Sequence, residues 1–313
     1  MFGTTPVIYR SGLTDSGRWK RFTFRPGDIV ISTPSKCGTT WMQMICALLI
    51  FQSTELPAAL TTLSPWLDMR LRPIDDVLRV LDAQKHRRFI KTHTPLDGLP
   101  DAGGVSYLTV GRDPRDVAVS MDHHRANLDR DVIERLLAQT SDHETSEERA
   151  AAVRPTRPAS QRERLLQWIH DERPPAANLD SLRGVVWHLG GAWARRHDPA
   201  VILVHHADLS HDLQGQMRQL AERLGITVPQ KLWPTLIQAA TFGRMSARAA
   251  DLVPDEQLGL FTDSHTFFRS GKSQQWRTTL TDHDLDAYDQ LLRSLAPTDL
   301  VAWLQQREAE TAD

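Results

Sequence analysis

The chain has 313 residues, 37 Lys+Arg against 39 Asp+Glu, and a formal net charge of -2. That length suits one large domain or two small ones, and 40% hydrophobic content is enough for a real core. The near-neutral charge gives no basic field for a nucleic-acid partner, and two Cys exclude a disulfide scaffold or a Cys-rich zinc site. The longest apolar run, Met44–Phe51, is far short of a bilayer span. Met1–Arg10 lacks a basic start followed by an apolar stretch. A soluble, reduced, cytoplasmic protein without a transmembrane segment is the expectation. Lysine is rare: only Lys20, Lys36, Lys85, Lys91, Lys231 and Lys272 occur, and Arg supplies the other 31 cations. A Lys beside Gly, Thr or His therefore stands out, as at Lys36, Lys91 and Lys272.

Asp28–Ser32 is a short β-branched run and predicts a buried strand. The polar loop Thr33–Thr39 follows, then the apolar helix Thr40–Phe51. Arg88–Lys91 predicts a second strand, stopped by His93-Thr94-Pro95, and Val105–Val110 a third. Asp113-Pro114 is an N-cap with Pro at the first helical position. Val201–Val204 predicts a fourth strand, and Leu213–Leu224 an amphipathic helix ending at Gly225. Strands alternating with helices mean an α/β fold, with a central parallel sheet flanked by helices. Asp129–Asp180 differs. It is dense in charge, contains Pro155, Pro158, Pro174 and Pro175, and keeps one apolar patch at Leu165–Ile169. We expect a mobile, partly helical insertion within a single domain spanning residues 1–313. It would be ordered as a lid when ligand binds, its apolar patch closing over an acceptor. A fixed helical excursion is the alternative.

Four segments carry chemistry. The loop Thr33-Pro34-Ser35-Lys36-Cys37-Gly38-Thr39-Thr40-Trp41 lies between a strand and a helix. Such a loop turns successive N–H groups towards an anion, and Lys36 adds a point charge. It is not the triphosphatase loop GxxxxGK[ST], because Lys precedes Gly here. Lys91-Thr92-His93 ends a strand, where a His opens into the crevice at the carboxyl edge of the sheet and suits a general base. Gly111-Arg112-Asp113-Pro114-Arg115-Asp116, with Ser120 two turns on, offers two groups to one phosphate. Phe268-Arg269-Ser270-Gly271-Lys272, with Trp276, is a basic Gly loop suited to a second anion. Each segment alone also fits a structural part: a plain turn, a surface His, an Arg112–Asp116 pair, a solvated loop. Cys37 suits either a reactive thiol or a small residue filling a tight loop. The pairs His123-His124 and His205-His206 lack the Cys or carboxylate that would complete a closed metal-ligand pattern.

Together the segments resemble the cytosolic-type sulfotransferases, which use 3'-phosphoadenosine 5'-phosphosulfate (PAPS). Thr33–Trp41 is similar to that family's TYPKSGTTW, with Ser35 and Cys37 as departures. Lys91–Pro95 matches K-[ST]-H-x-P, and Arg112–Ser120 matches RNPKDVAVS. Arg269-Ser270-Gly271 and Trp276 match RKGxxGxW, with Ser270 where the family has Lys. The stretches Ser64–Asp68, Arg72–Ile74, His86–Pro100 and Gly111–Asp116 resemble the family's mycobacterial glycolipid branch.

The resemblance implies a P-loop-like sulfotransferase fold and transfer of a sulfuryl group from PAPS to an acceptor hydroxyl, releasing 3',5'-ADP (PAP). It implies catalytic Lys36, Lys91 and His93. It also implies donor contacts from Lys36, Cys37, Gly38, Thr39, Thr40, Trp41, Arg112, Ser120, Arg269, Ser270 and Gly271. Phe242 stands as the adenine-stacking residue opposite Trp41, and His206 falls where an adenine-contacting Tyr usually stands. Lys272 is placed to offset Ser270. No metal is required. The acceptor is a small molecule or glycolipid, with Trp66 and Met69 as pocket residues, and no nucleic-acid partner is implied. The family's C-terminal dimer motif is poorly kept in Arg277–Asp286, which leaves the oligomeric state open. A P-loop kinase using ATP and a non-catalytic nucleotide-binding module are the alternatives. The Lys placement speaks against the first, and the presence of both Lys36 and His93 against the second.

Overall fold

The computed structural model describes residues 5–140, 157–252, 258–269 and 271–306. Four short strands form its centre: β1 (Ile29–Ser32), β2 (Phe89–Thr92), β3 (Ser106–Gly111) and β4 (Val201–His205). All pairs are parallel, in the order β2-β1-β3-β4. Ile29 faces Phe89 on one side of β1 and Ser106 on the other, and Gly111 faces His205. β1 and β2 are buried along their whole length, so apolar runs mark them rather than alternation. Each strand lies within one residue of its predicted bounds. The predicted first residues Asp28 and Arg88 instead pair with each other beneath the sheet, both buried, with Arg88 Nε 2.9 Å from Asp28 Oδ1.

Helix α1 (Thr39–Phe51) runs back from β1. It packs with Leu213–Arg223 on one face of the sheet, around Ile31, Met44, Leu48, Leu108 and Met217. On the other face, Val30, Ile90, Tyr107 and Val201 pack with Trp19, Leu81 and Ala192, while α2 (Pro114–Asn127), α3 (Gln161–Ile169) and α4 (Leu182–Ala194) form a further cluster with Asp282–Leu295 and Thr298–Leu304. Asp113 caps α2 by accepting from the Arg115 N–H at 2.9 Å, and Pro114 occupies the first turn as predicted.

The strand order decides where a ligand goes. From β1 the chain crosses to β2 on one side, then returns past β1 to β3 on the other. The carboxyl ends of β1 and β3 therefore flank a topological switch point, where the outgoing loops part and leave a crevice. Those loops are Thr33–Gly38 and Arg112–Asp113.

The segment expected to be a lid divides in two. Residues 141–156 lie outside the described residues. Within the rest, Leu165, Trp168 and Ile169 of α3 are buried against α2 and α4, and Arg157 and Arg164 both reach Asp122 of α2. The apolar patch predicted to close over an acceptor belongs to the core, because its spacing makes one buried helix face. The neighbouring helix Arg130–Thr140 does approach the crevice, packing Val132 and Ile133 beside Met69, Leu71 and Leu260.

Candidate active site

A cavity of about 450 Å³ opens at the switch point. Lys36, Gly38, Thr39, Thr40, Trp41, Lys91, His93, Arg112, Ser120, His206, Phe242, Arg269, Gly271 and Lys272 all line it. Ser270 lies outside the described residues. Four segments up to 236 positions apart thus converge on one space, which their sequence positions alone do not require.

The anion loop comes first. Gly38 takes φ 111° and Lys36 φ 67°, both in the left-handed region. A lysine there is strained, and the loop holds it in part because Arg112 Nη1 donates to the Lys36 carbonyl at 3.2 Å. The turn leaves the first N–H groups of α1 at the cavity, where helix geometry supplies them no internal partner. Cys37 departs from expectation. Its N–H donates to the Pro34 carbonyl at 3.3 Å, and its thiol is buried beside Val117. Burial pushes that thiol up to about 12, so Cys37 is a filler of the tight loop and not a reactive thiol. The loop amides that helix geometry leaves without an internal partner therefore follow Cys37. Thr33 and Thr39 hydroxyls bond to each other across the loop.

Lys36 Nζ sits 4.5 Å from the centre of the Phe267 ring. Burial, with Arg112 and Lys91 nearby, lowers its pKa to about 7. Arg112 and Lys91 press on Lys36 more strongly than Asp180 offsets them, so the charge balance around Lys36 favours an anion. Arg269 adds to it: burial and the Arg112 guanidinium both push its pKa down.

His93 and Lys91 sit at the end of β2. His93 Nδ1 is 2.7 Å from the Thr33 carbonyl oxygen. A carbonyl only accepts, so Nδ1 carries the proton and the neutral ring keeps its lone pair on Nε2. Burial, then Lys91, holds the His93 pKa well below the usual histidine range. Trp66 supports both residues: its ring centre is 4.1 Å from Lys91 Nζ and 4.8 Å from the His93 ring, edge to face. Sequence reasoning assigned Trp66 to the acceptor pocket alone and gave no part to Asp68. Yet Asp68 Oδ2 accepts from the hydroxyls of Thr92 and Thr94, at 2.5 Å each, on either side of His93. The signal was the Ser64–Asp68 stretch, whose carboxylate in an apolar context invites a buried partner.

On the nucleotide side, Trp41 is held by a 2.8 Å bond from Nε1 to the Ala240 carbonyl. Its ring meets His206 edge to face at 5.4 Å. Phe242 is exposed and lies over Gly271, whose φ is 61°, and a Cβ there would come within 3.0 Å of the ring. Asp116 receives the Gln274 N–H at 2.7 Å, tying the late loop to α2. Trp276 is buried, with the Arg115 guanidinium 4.0 Å above its ring. The two aromatic side chains, the glycine that leaves room beside one of them, and the Arg112 Nε without a partner among the described residues fit a nucleotide bearing more than one phosphate. Among the described residues no three His, Cys, Asp or Glu side chains gather as a metal-ligand set.

The sulfotransferase domain family model matches residues 26–300. The glycolipid sulfotransferase of Mycobacterium tuberculosis is 41% identical over 313 residues, covering 97% of this chain and 95% of that one. The chain belongs to the sulfotransferase family. As a sulfotransferase it is also similar to sulfotransferase 1A1 of Rattus norvegicus, at 23% identity over 92% of this chain and 93% of that one. Two solved structures share the fold. A mouse sulfotransferase complexed with PAP has a TM-score of 0.66 at 18% identity, covering 92% of this chain and 91% of that one. Retinol dehydratase in a complex with retinol and PAP has a TM-score of 0.65 at 20% identity, covering 95% and 89%. The enzyme has no described helix long and apolar enough to cross a membrane.

Proposed function

We propose that this sulfotransferase uses PAPS as donor and sulfates a hydroxyl on an acceptor with an apolar body, of which a glycolipid is the leading case. The name of the mycobacterial relatives supports the glycolipid assignment. So does the apolar wall of the cavity around Leu13, Met69, Leu71, Ile133 and Phe261. PAPS, when bound, supplies the activated sulfuryl group. The amides of Gly38–Trp41, with Thr39 and Thr40, hold the 5' end, and Lys36 neutralises charge that develops towards the leaving group. Arg112 and Ser120 hold the 3'-phosphate, with Arg269 and Gly271 beside it. Trp41, His206 and Phe242 enclose the base. His93 Nε2 accepts the proton of the acceptor hydroxyl, and Lys91 stabilises the oxygens of the group in flight. Most of the rate enhancement comes from holding these groups in place.

The hydrogen bond from His93 Nδ1 to the Thr33 carbonyl carries this reading, because it makes Nε2 a base at neutral pH. The test is an acceptor panel of glycolipids, phenols, sterols and free sugars incubated with PAPS. Mass spectrometry of the products then looks for an added sulfuryl group, with PAP release measured alongside. Sulfation of a lipid-borne hydroxyl supports the proposal. Turnover confined to free sugars refutes the apolar-body acceptor. The chain is further proposed to act as one cytoplasmic domain, which fractionation of expressing cells and limited proteolysis would test.

A further inference from the structure

His124 lies on α2 one turn beyond Ser120, so both side chains fall on the cavity face of that helix. Its ring packs in a triangle with two others, 5.6 Å from Phe261 and 6.3 Å from Phe267, which are themselves 5.3 Å apart. Phe267 carries Lys36 Nζ on its face, so His124 and the anion-binding lysine share one aromatic neighbour. Phe261 belongs to the apolar wall with Met69, Leu71 and Leu260. His124 therefore marks the border between the charged donor end and the apolar acceptor end. Neither of its ring nitrogens bonds to any described residue.

We infer that His124 is a specificity-determining residue that hydrogen-bonds a second oxygen of the acceptor, close to the hydroxyl that His93 deprotonates. This deepens the proposed sulfuryl transfer and rests on it. A partly enclosed imidazole with no hydrogen-bond partner among the described residues loses water when an acceptor enters, and an acceptor that leaves it unbonded bears that loss. Burial, together with Lys36, Lys91 and His93, keeps the ring neutral. A neutral imidazole presents one donor and one acceptor, which is the complement of a hydroxyl. The surrounding cations repel an ammonium group. The acceptor class is thus a neutral diol or sugar joined to an apolar body.

The experiment compares a vicinal alkanediol with the monohydric alcohol of the same chain length, both with PAPS, measuring kcat and KM separately. For the wild type, the diol is favoured in kcat/KM by about 3- to 10-fold, the size of one net hydrogen bond. His124→Phe keeps a ring packed beside Phe261 and Phe267 and removes both nitrogens. It brings the diol-to-alcohol ratio close to one, mainly through KM of the diol. His124→Gln, which keeps a donor and an acceptor, restores part of the preference. A wild-type ratio near one, or a ratio unchanged in His124→Phe, overturns the inference. Equal loss on both acceptors also overturns it, since His124 would then be only a wall of the site. Failure of wild type on both alcohols, while it sulfates members of the wider panel, overturns the inference and leaves sulfuryl transfer standing. Failure on the whole panel overturns the underlying reading.

Discussion

The Thr33 carbonyl and His93 Nδ1, 60 positions apart in the chain, are 2.7 Å apart in the fold. One bond therefore couples the anion loop to the base and sets which ring nitrogen is free. Replacing His93 with Ala removes general-base assistance, with an expected loss of about 10²–10⁴-fold in kcat. PAP affinity, measured by calorimetry, stays nearly constant, because the phosphate-binding groups lie on other loops. Near-normal turnover in the variant would take His93 out of the mechanism. Its pKa is held well below 6.5, so the acid limb of kcat/KM belongs below that pH.

Lys36 makes the donor site pH-dependent in the opposite sense. Its pKa in the free protein is lowered to about 7. A bound phosphosulfate or phosphate favours the charged form and raises it. Above pH 7 the free protein lacks a proton that the complex holds, so nucleotide binding takes up a proton and weakens as pH rises. Calorimetry at pH 8.5 in buffers of different ionisation enthalpy should detect uptake of about one proton. Lys36→Met should abolish it. Equal uptake in the variant would assign the proton elsewhere.

Arg112 is expected to read the 3'-phosphate. Arg112→Ala should weaken PAP by about 1.5–3 kcal/mol, the worth of a charged hydrogen bond, and weaken 5'-AMP much less. Equal losses for the two nucleotides would mean that Arg112 acts through its 3.2 Å bond to the Lys36 carbonyl, by shaping the loop.

Asp68 holds the two threonines that flank His93. Its removal in Asp68→Ala leaves two buried hydroxyls without that acceptor. We expect about 1–3 kcal/mol lower stability in urea unfolding, and a fall in kcat larger than any change in PAP affinity. A stable variant with full activity would show that Thr92 and Thr94 find other partners.

The helix Gln161–Ile169 should be protected from amide exchange in the ligand-free protein, because Leu165, Trp168 and Ile169 are core. Trp168→Ala should cost about 3–5 kcal/mol. Fast exchange along this helix without ligand, and slow exchange with PAP, would instead restore it to the lid.

The four strands, α1 and the start of α2 were legible because their signals are local. β-branched runs, a Gly loop and an Asp-Pro cap act on their own neighbours, whatever the rest of the chain does. Lys36, His93 and Arg112 were legible as candidates for the same reason: each sits in a loop that leaves the carboxyl end of a strand. What the tertiary structure decided is everything that depends on a partner far along the chain. The Cys37 N–H enters a turn bond and its side chain enters the core, neither of which the order of the loop residues shows. Leu165–Ile169 changed from lid to core once α2 and α4 were seen to cover it. Asp68, Phe267 and His124 entered the site only through contacts with Thr92, Lys36 and Phe261. Burial and electrostatic coupling are properties of three-dimensional neighbourhood, so a chain read in order shows which groups are available and not which of them meet.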